Sequence, residues 1–412
     1  MANGSSSNGL EKSPKLRFPE FDETYKKCQI GDVYAERSQR GAGDTMLLSV
    51  TMNDGVIPRS EIEGKDNSSE DKSRYKIVCK GDMVYNSMRM WQGANGISNY
   101  DGIVSPAYTV LMPIEKIDNR YFAALFKTSN LIDKFRKNSQ GLTSDTWNLK
   151  YPQIRSIKLY IPSLPEQNKI SVFISILEER IDQQRQLVET LKKYKRGLSD
   201  ELFGEKESGE RWMTVPFSEA FDLLQNNTFS RDEMSTENGI TYNIHYGDVL
   251  IKYGAVADLS KSKVPYICSN VSLSKYAQSS YLRDGDIVIA DTAEDYTVGK
   301  AVEIVGVADA KALSGLHTIP CRPKISFAPM YLGYFINSKK FKMQILPLIQ
   351  GTKVASISKS EILKTSIAFP SFGVQSQIAS MLYALDHRID LCQASVQGCV
   401  RIKEALLQQL FI

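Results

Sequence analysis

PSLPEQNKISVFISILEERIDQQRQLVETLKKYKRGLSDELF, residues 162–203, returns without a gap as PSFGVQSQIASMLYALDHRIDLCQASVQGCVRIKEALLQQLF, residues 370–411. Thirteen of the 42 positions are identical, among them Pro162/Pro370, Gln167/Gln375, Lys195/Lys403, Phe203/Phe411 and the run Arg180-Ile-Asp182/Arg388-Ile-Asp390. A repeat at this spacing governs the architecture and has to be read before anything else. Both copies carry the same heptad. Ile170, Leu177, Gln184, Leu191 and Leu198 interleave with Ile174, Ile181, Val188, Lys195 and Leu202. In the second copy these become Ile378, Leu385, Cys392, Cys399, Leu406 and Leu382, Ile389, Val396, Lys403, Leu410. Alternating three- and four-residue steps over five heptads predict a long helix with a coiled-coil seam. From Gln167 to Leu202 it would span roughly 54 Å. Ser163-Leu-Pro-Glu166 has the spacing of a capping box at its start. Two unrelated surface helices would not share this phase, so the copies are expected to pack on each other.

The repeat extends backward with small insertions. Asp118–Gly141 parallels Ala328–Gly351, pairing Tyr121 with Tyr331 and ending on Gln140-Gly141 or Gln350-Gly351. Ile103–Val110 parallels Ala312–Ile319, and Gly81-Asp82-Met-Val84 parallels Gly285-Asp286-Ile-Val288. A globular domain followed by a helix therefore occurs twice. Runs such as Leu47–Thr51, Tyr75–Val78, Tyr108–Leu111, Asp286–Ala290 and Ala301–Val307 read as strands between turn residues. Asn119–Phe135 and Pro329–Leu346 read as amphipathic helices. The expected division is a tail over 1–14, domains over 15–160 and 212–368, helical segments over 161–203 and 369–412, and a polar linker over 204–211.

Composition narrows the classes. The 412 residues suit two or three domains. With 42% hydrophobic and 24% charged residues, wholesale disorder is excluded. Formal charge is +4, a mild lean toward anionic partners rather than a nucleic-acid signature. Six cysteines without a CxxC pair read as reduced and cytoplasmic, and three histidines argue against a histidine-built metal site. Met1–Pro14 lacks the apolar stretch of a secretory signal. Thr365–Leu385 is uncharged, but Pro370, Gly373 and its glutamines break it, so no membrane span is expected.

Catalytic motifs are missing. Neither GxxxxGK[ST], GxGxxG, HExxH, GxSxG nor DxDxDG occurs. Glu61-Ile-Glu63-Gly-Lys65 contains a three-residue fragment found in some nucleases, a match frequent by chance. Cys392 and Cys399 fall on heptad core positions, where they serve as small hydrophobes. His387 falls on a solvated helix face. What remains suits reading DNA. Asn86, Ser87, Arg89, Trp91, Gln92 and Asn95 mix base-edge readers with an aromatic, and Thr143, Ser144 and Asn148 beside Trp147 repeat the mixture. The second half offers Asp291, Thr292, Thr297, Lys300, Thr352 and Lys353 at corresponding places. Arginine reads guanine and asparagine or glutamine reads adenine through paired hydrogen bonds. The alternative is that these loops are merely polar and the tryptophans belong to the core. Lys192-Lys-Tyr-Lys195-Arg196 fits a solvated helix face as well as a phosphate contact.

At this point the chain resembles the specificity subunit of type I restriction-modification systems. The residues that carry the likeness are PSLPEQNKI (162–170), PSFGVQSQI (370–378), GIVSPAYTVL (102–111), SGLHTI (314–319), GDMVYNSMRMWQGA (81–94) and DGDIVIADTAED (284–295). It runs from Lys15 to Ile412. Gly373-Val374 replaces Pro165-Glu166, so the second helix start lacks the capping box. The resemblance implies an α+β protein with two mixed α/β target-recognition domains in tandem. Each is followed by a long helix, and the two helices pack as an antiparallel coiled coil. It implies a non-catalytic reader of double-stranded DNA in which each domain reads one half of a bipartite target. The helices would set the spacing and dock two methyltransferase subunits through Ile174, Ile181, Val188, Leu382, Ile389 and Val396. S-adenosylmethionine, ATP and Mg2+ would reside on the methyltransferase and restriction subunits, with no cofactor in this chain. A coiled-coil adaptor whose globular halves bind protein is the competing reading.

Overall fold

The structure is a computed structural model that describes residues 13–412 apart from 42–44, 53, 65, 67, 205–211, 238, 262, 309 and 352. Most of the expected tail and linker, with Lys65, thus lies outside the described residues. The chain divides into two compact units, residues 1–184 with 395–412 and residues 185–394.

The heptads form the two longest elements, helices Leu164–Phe203 and Phe372–Leu410. Every heptad position named from the sequence is buried or half-buried. The 3.5-residue period of the apolar pattern holds one seam on one side, which is why a helix this long is stable. In the first unit Ile170 and Ile174 share a core with Leu407, Leu410 and Phe411, and Glu178 pairs with Lys403. In the second, Leu198, Leu202 and Phe203 share a core with Ile378 and Leu382, and Lys195 pairs with Asp386. The start of each helix meets the end of the other, so the pairing is antiparallel. Lys195 and Lys403, identical in the repeat, each meet a carboxylate of the facing helix rather than entering the seam unpaired.

The helix starts correct one expectation. Glu166 does not close a capping box. Its carboxylate is buried and accepts Arg17 Nε at 2.8 Å, Arg17 Nη2 at 2.8 Å and Tyr25 Oη at 3.2 Å. Residues 17–25 reach it from far away in the sequence, and no local pattern announces that. The second helix begins equally well without Glu166, because a different residue holds both starts. Gln167 donates to Pro162 O at 3.0 Å and accepts Asp118 N at 3.1 Å. Gln375 donates to Pro370 O at 2.9 Å and accepts Ala328 N at 3.0 Å.

Each unit contains the same antiparallel sheet core. In the first its strand order is Tyr34–Glu36, Tyr108–Pro113, Met83–Asn86, Asn95–Ile97. In the second it is Phe221–Leu223, Thr318–Pro323, Ile287–Ala290, Ala301–Val305, with Val256–Asp258 added in parallel. An antiparallel ribbon precedes each long helix, Lys26–Gln29 with Lys158–Ile161 and Met213–Pro216 with Ser366–Phe369. The strand register refines the sequence parallel by one residue. Val84 faces Val110 and Val288 faces Pro320, so Val110 corresponds to Pro320 rather than Ile319.

The predicted amphipathic helices are each two helices, Asn119–Leu125 with Ser129–Asn138 and Tyr331–Ile336 with Lys339–Ile345. The breaks fall on Thr128 and Ser338, whose hydroxyls donate to Leu125 O at 2.8 Å and Phe335 O at 2.6 Å. A hydroxyl that bonds the preceding turn favours a new helix start over continuation. Tyr121 and Tyr331 anchor the cores beside these helices. Phe411 lies 5.1 Å from Tyr121, and Phe203 lies 5.9 Å from Tyr331. The last turn of each repeat copy therefore completes the core whose tyrosine comes from the other copy. Compact units and repeat copies consequently do not share boundaries.

Among the described residues one buried carboxyl lacks a cation. Glu303, on the strand Ala301–Val305, accepts Met330 N at 2.5 Å and Gly333 N at 2.9 Å at the start of the helix Tyr331–Ile336. Burial pushes its carboxyl up to about 7. The folded state then keeps a proton that the unfolded chain has released, so stability falls as pH rises from about 4.5 to about 7. Across that window the expected loss is about 3 kcal/mol, each pH step of one costing ~1.4 kcal/mol. Urea titrations at pH 5 and pH 8 should show this fall in the wild type and a flatter response in Glu303→Gln. Equal slopes for the two proteins would mean that the carboxyl ionises freely in the fold.

Candidate nucleic-acid interface

In the first unit the strand Met83–Asn86 ends in a tight loop. Asn86 Oδ1 accepts Met88 N at 3.0 Å, and Trp91 Nε1 donates to Met88 O at 3.0 Å. Trp91 meets Trp147 edge to face with centroids 5.2 Å apart. The pair ties this loop to a second one, which starts at Gln140-Gly141 and carries Thr143 and Ser144 on a 3-10 turn. The second loop returns by Leu149 N donating to Ser87 O at 2.8 Å. Two segments far apart in the chain thus share one end of the sheet.

The second unit repeats the construction. Asp291 and Thr292 follow the strand Ile287–Ala290, Thr292 and Ala293 pair with Ser356 and Ala355, and Ile357 N donates to Asp291 O at 2.8 Å. His317 is added from the turn before Thr318–Pro323. It holds a left-handed φ of +54°, and its Nδ1 lies 3.4 Å from Asp291 Oδ1. The Tyr246 ring stands edge-on to it at 5.3 Å. His245, beside them, is held down to about 4, chiefly by burial and then by Arg231, so it is neutral at physiological pH.

Exposure sorts the residues singled out by sequence. Arg89, Thr143, Ser144, Thr297 and Lys353 are exposed, while Asn86, Trp91, Gln92, Asn148, Asp291 and Thr292 are half-buried. Arg89 makes no side-chain hydrogen bond or ion pair among the described residues, which leaves its guanidinium available. Three others are not available. Ser87 is buried, with its hydroxyl 2.8 Å from Thr109 Oγ1. Asn95 is wholly buried and donates to Gly93 O at 3.1 Å. Lys300 donates to Leu250 O at 2.9 Å and Tyr253 O at 2.8 Å, which ties its ammonium to the protein. Thr352 lies outside the described residues. Sequence reasoning missed His317, Tyr246 and the exposed Met88, although SGLHTI and GDMVYNSMRMWQGA contained two of them. The docking residues need the same correction. Ile174, Ile181, Val188, Leu382 and Ile389 are buried and Val396 is half-buried, because they form the helix seam.

Among the described residues no group of three His, Cys, Asp or Glu could hold a metal ion, and no helix is long and apolar enough to cross a membrane.

Residues 22–193 match the family described as type I restriction modification DNA specificity domain. That stretch resembles this family, and the match covers less than half of the chain. The matched stretch spans the loops at 86–95 and 140–148 and most of the first long helix. The type I restriction enzyme MjaVIII specificity subunit of Methanocaldococcus jannaschii is 23% identical over 365 residues, covering 82% of this chain and 81% of that protein. The putative MjaX specificity subunit of the same organism is 21% identical over 430 residues, covering 94% and 96%. A solved S subunit of a type I restriction-modification system from M. genitalium matches with a TM-score of 0.55 at 13% identity, over 97% of this chain and 99% of that one. A chain from a structure of type I R-M complex assembly and conformational transition matches at 0.58 and 15%, over 94% and 97%. The solved structures establish the likeness in fold. The resemblance read from PSLPEQNKI and its echo is borne out, as is the α+β architecture with paired helices.

Proposed function

We propose that this chain is the DNA-reading subunit of a type I restriction-modification complex, each unit reading one half of a bipartite target. The observation that carries the proposal is the reading surface built twice. In both units a strand end, a polar loop and a Gln-Gly loop are joined by the same backbone bond, Leu149 to Ser87 and Ile357 to Asp291. The polar residues left accessible there, Arg89 and Gln92 in one unit and Thr297 and Lys353 in the other, are types that contact base edges and phosphates. The outer faces of the long helices dock two methyltransferase subunits. Val172 and Ile176 on the first helix and Met381 and Leu391 on the second are exposed apolar residues suited to this, since the seam residues are spent. Restriction subunits complete the complex. S-adenosylmethionine, ATP and Mg2+ act on the partner subunits.

Sequencing methylated adenines in cells that carry this chain with its methyltransferase tests the reading. One bipartite motif should appear, and binding to it should weaken steeply with salt. Salt-independent binding, or no motif, would refute it. Arg89→Ala should relax the first half-site at one position, costing about 1–3 kcal/mol of discrimination there. The second half-site should not change. Unaltered discrimination with a lowered melting temperature would instead make Arg89 a structural residue.

A further inference from the structure

Each Gln-Gly loop is closed at its base by a pair of backbone hydrogen bonds and carries an aliphatic side chain held out in water. In the first unit Gln140 N donates to Asn148 O at 3.0 Å and Asn148 N to Gln140 O at 2.8 Å. In the second, Gln350 N donates to Ser356 O at 2.9 Å and Ser356 N to Gln350 O at 2.8 Å. Gly141 and Gly351 open the rings at φ +144° and +97°, and a Cβ on either would strike the backbone across the ring, at Thr146 O or Val354 O. The first ring is braced further by Thr146 Oγ1, which donates to Thr143 O at 2.9 Å and accepts Thr143 N at 3.1 Å. Leu142 stands on it with 101% of its surface exposed, and Val354 stands on the other at 52%. Polar or charged neighbours flank both, Thr143 and Ser144 in one ring and Lys353 in the other.

Single exposed apolar side chains are ordinary on a protein surface, and what sets these two apart is their matching place on the corresponding loop of each unit. A tip held this tightly loses little further freedom when it inserts into a partner. Both tips project from the loops proposed above to face DNA, and apolar side chains on such surfaces enter base-pair steps and unstack them. We propose that Leu142 and Val354 are wedges, each entering a base-pair step at the edge of the half-site read by its own unit and bending the duplex there. The proposal rests on the DNA-reading function. It adds a task that no base-edge contact performs. Because pyrimidine–purine steps unstack most easily, the wedges would impose a step preference at bases that no polar side chain touches.

The test uses the full chain assembled with its methyltransferase, on a duplex bearing the motif found by methylation sequencing. 2-Aminopurine, paired with thymine, is placed in turn at the unspecified positions flanking each half-site and at its unmethylated adenines. The wild type should brighten the probe at one step beside each half-site. Leu142→Ser should abolish the signal at the first step only, and Val354→Ser at the second only, each protein keeping its melting temperature. Specific binding with no bright step, or signals unchanged in the variants, overturns the wedge while leaving the reading function intact. A variant that shifts base preference without any unstacking also overturns it, and makes the tip a thymine-methyl contact. Absence of specific binding by the wild type refutes the reading function itself, and the wedge with it.

Discussion

Exchanging residues 15–161 for the same stretch of a related specificity subunit is expected to replace one half of the methylated motif and leave the other half unchanged. The loops proposed to read the first half-site, 86–95 and 140–148, lie inside the exchanged stretch, and those proposed for the second, 291–299 and 350–357, lie outside it. Ending at Ile161 carries the whole strand Lys158–Ile161 with its partner Lys26–Gln29. The host still supplies Ile170, Ile174, Leu407 and Phe411 to the core, so the graft must offer apolar residues where Tyr121 and Phe122 pack here. It must also present a backbone N–H to Gln167, as Asp118 does. Each wrong base pair costs about 1–3 kcal/mol, so three altered positions would bring methylation of the original first half-site below detection. Methylation sequencing of the hybrid reads the outcome directly. If both halves change together, readout is not divided between the units.

Removing one guanidinium should do the greatest damage to stability. Arg322 Nε and Nη2 hold the two oxygens of Asp286 at 2.9 and 2.6 Å, and the same guanidinium donates to Ser279 O and Tyr281 O. Only 2% of the Asp286 side chain is exposed. Arg322→Ala therefore strands a buried carboxylate whose other bond comes from Arg283 N. Breaking a buried pair from one side costs about 3–5 kcal/mol. The double variant Arg322→Met, Asp286→Asn should recover much of that, because no charge is left behind. Urea unfolding of the three proteins gives the comparison. A loss under about 1 kcal/mol for Arg322→Ala would mean that water replaces the arginine. Arg37 and Asp82 form the equivalent pair in the first unit at 2.6 and 3.0 Å, with the arginine contributed from just past the end of the strand Tyr34–Glu36 rather than from the counterpart of Thr318–Pro323.

That difference shows where sequence reading stops. The repeat reveals Asp82 and Asp286 because each makes a local turn, accepting the amide of Cys79 or Arg283 three residues back. Their arginine partners are invisible to it, since a cross-strand partner depends on register rather than on neighbours in the chain. The candidate site divides in the same way. The stretches 86–95, 143–148 and 291–300 stand out by composition as candidate reading loops. Ser87 and Asn95 look like readers in sequence but are consumed inside the loop that displays Arg89. Lys300 looks like a phosphate contact but is taken up by two carbonyls. His317 reaches Asp291 from a distant part of the chain.

The sequence by itself determined the duplication, the two long helices and their heptad positions, though not Leu407, which joins Ile170 and Ile174 in one core. Helical period and heptad phase are properties of neighbouring residues, and they survive any arrangement of the rest. It also identified Gln167 and Gln375, whose bonds at the helix starts are partly local. Tertiary structure alone decided which copy each helix end completes, placing Phe203 beside Tyr331 and Phe411 beside Tyr121. It decided that Glu166 serves Arg17 and Tyr25 instead of capping its own helix, and that Ile174 and Val188 are spent within the helix pair. In each case the outcome depends on which distant group arrives first at a polar or apolar side chain. Burial and partner identity are pairwise properties of the folded chain, and no window of sequence contains both members of the pair.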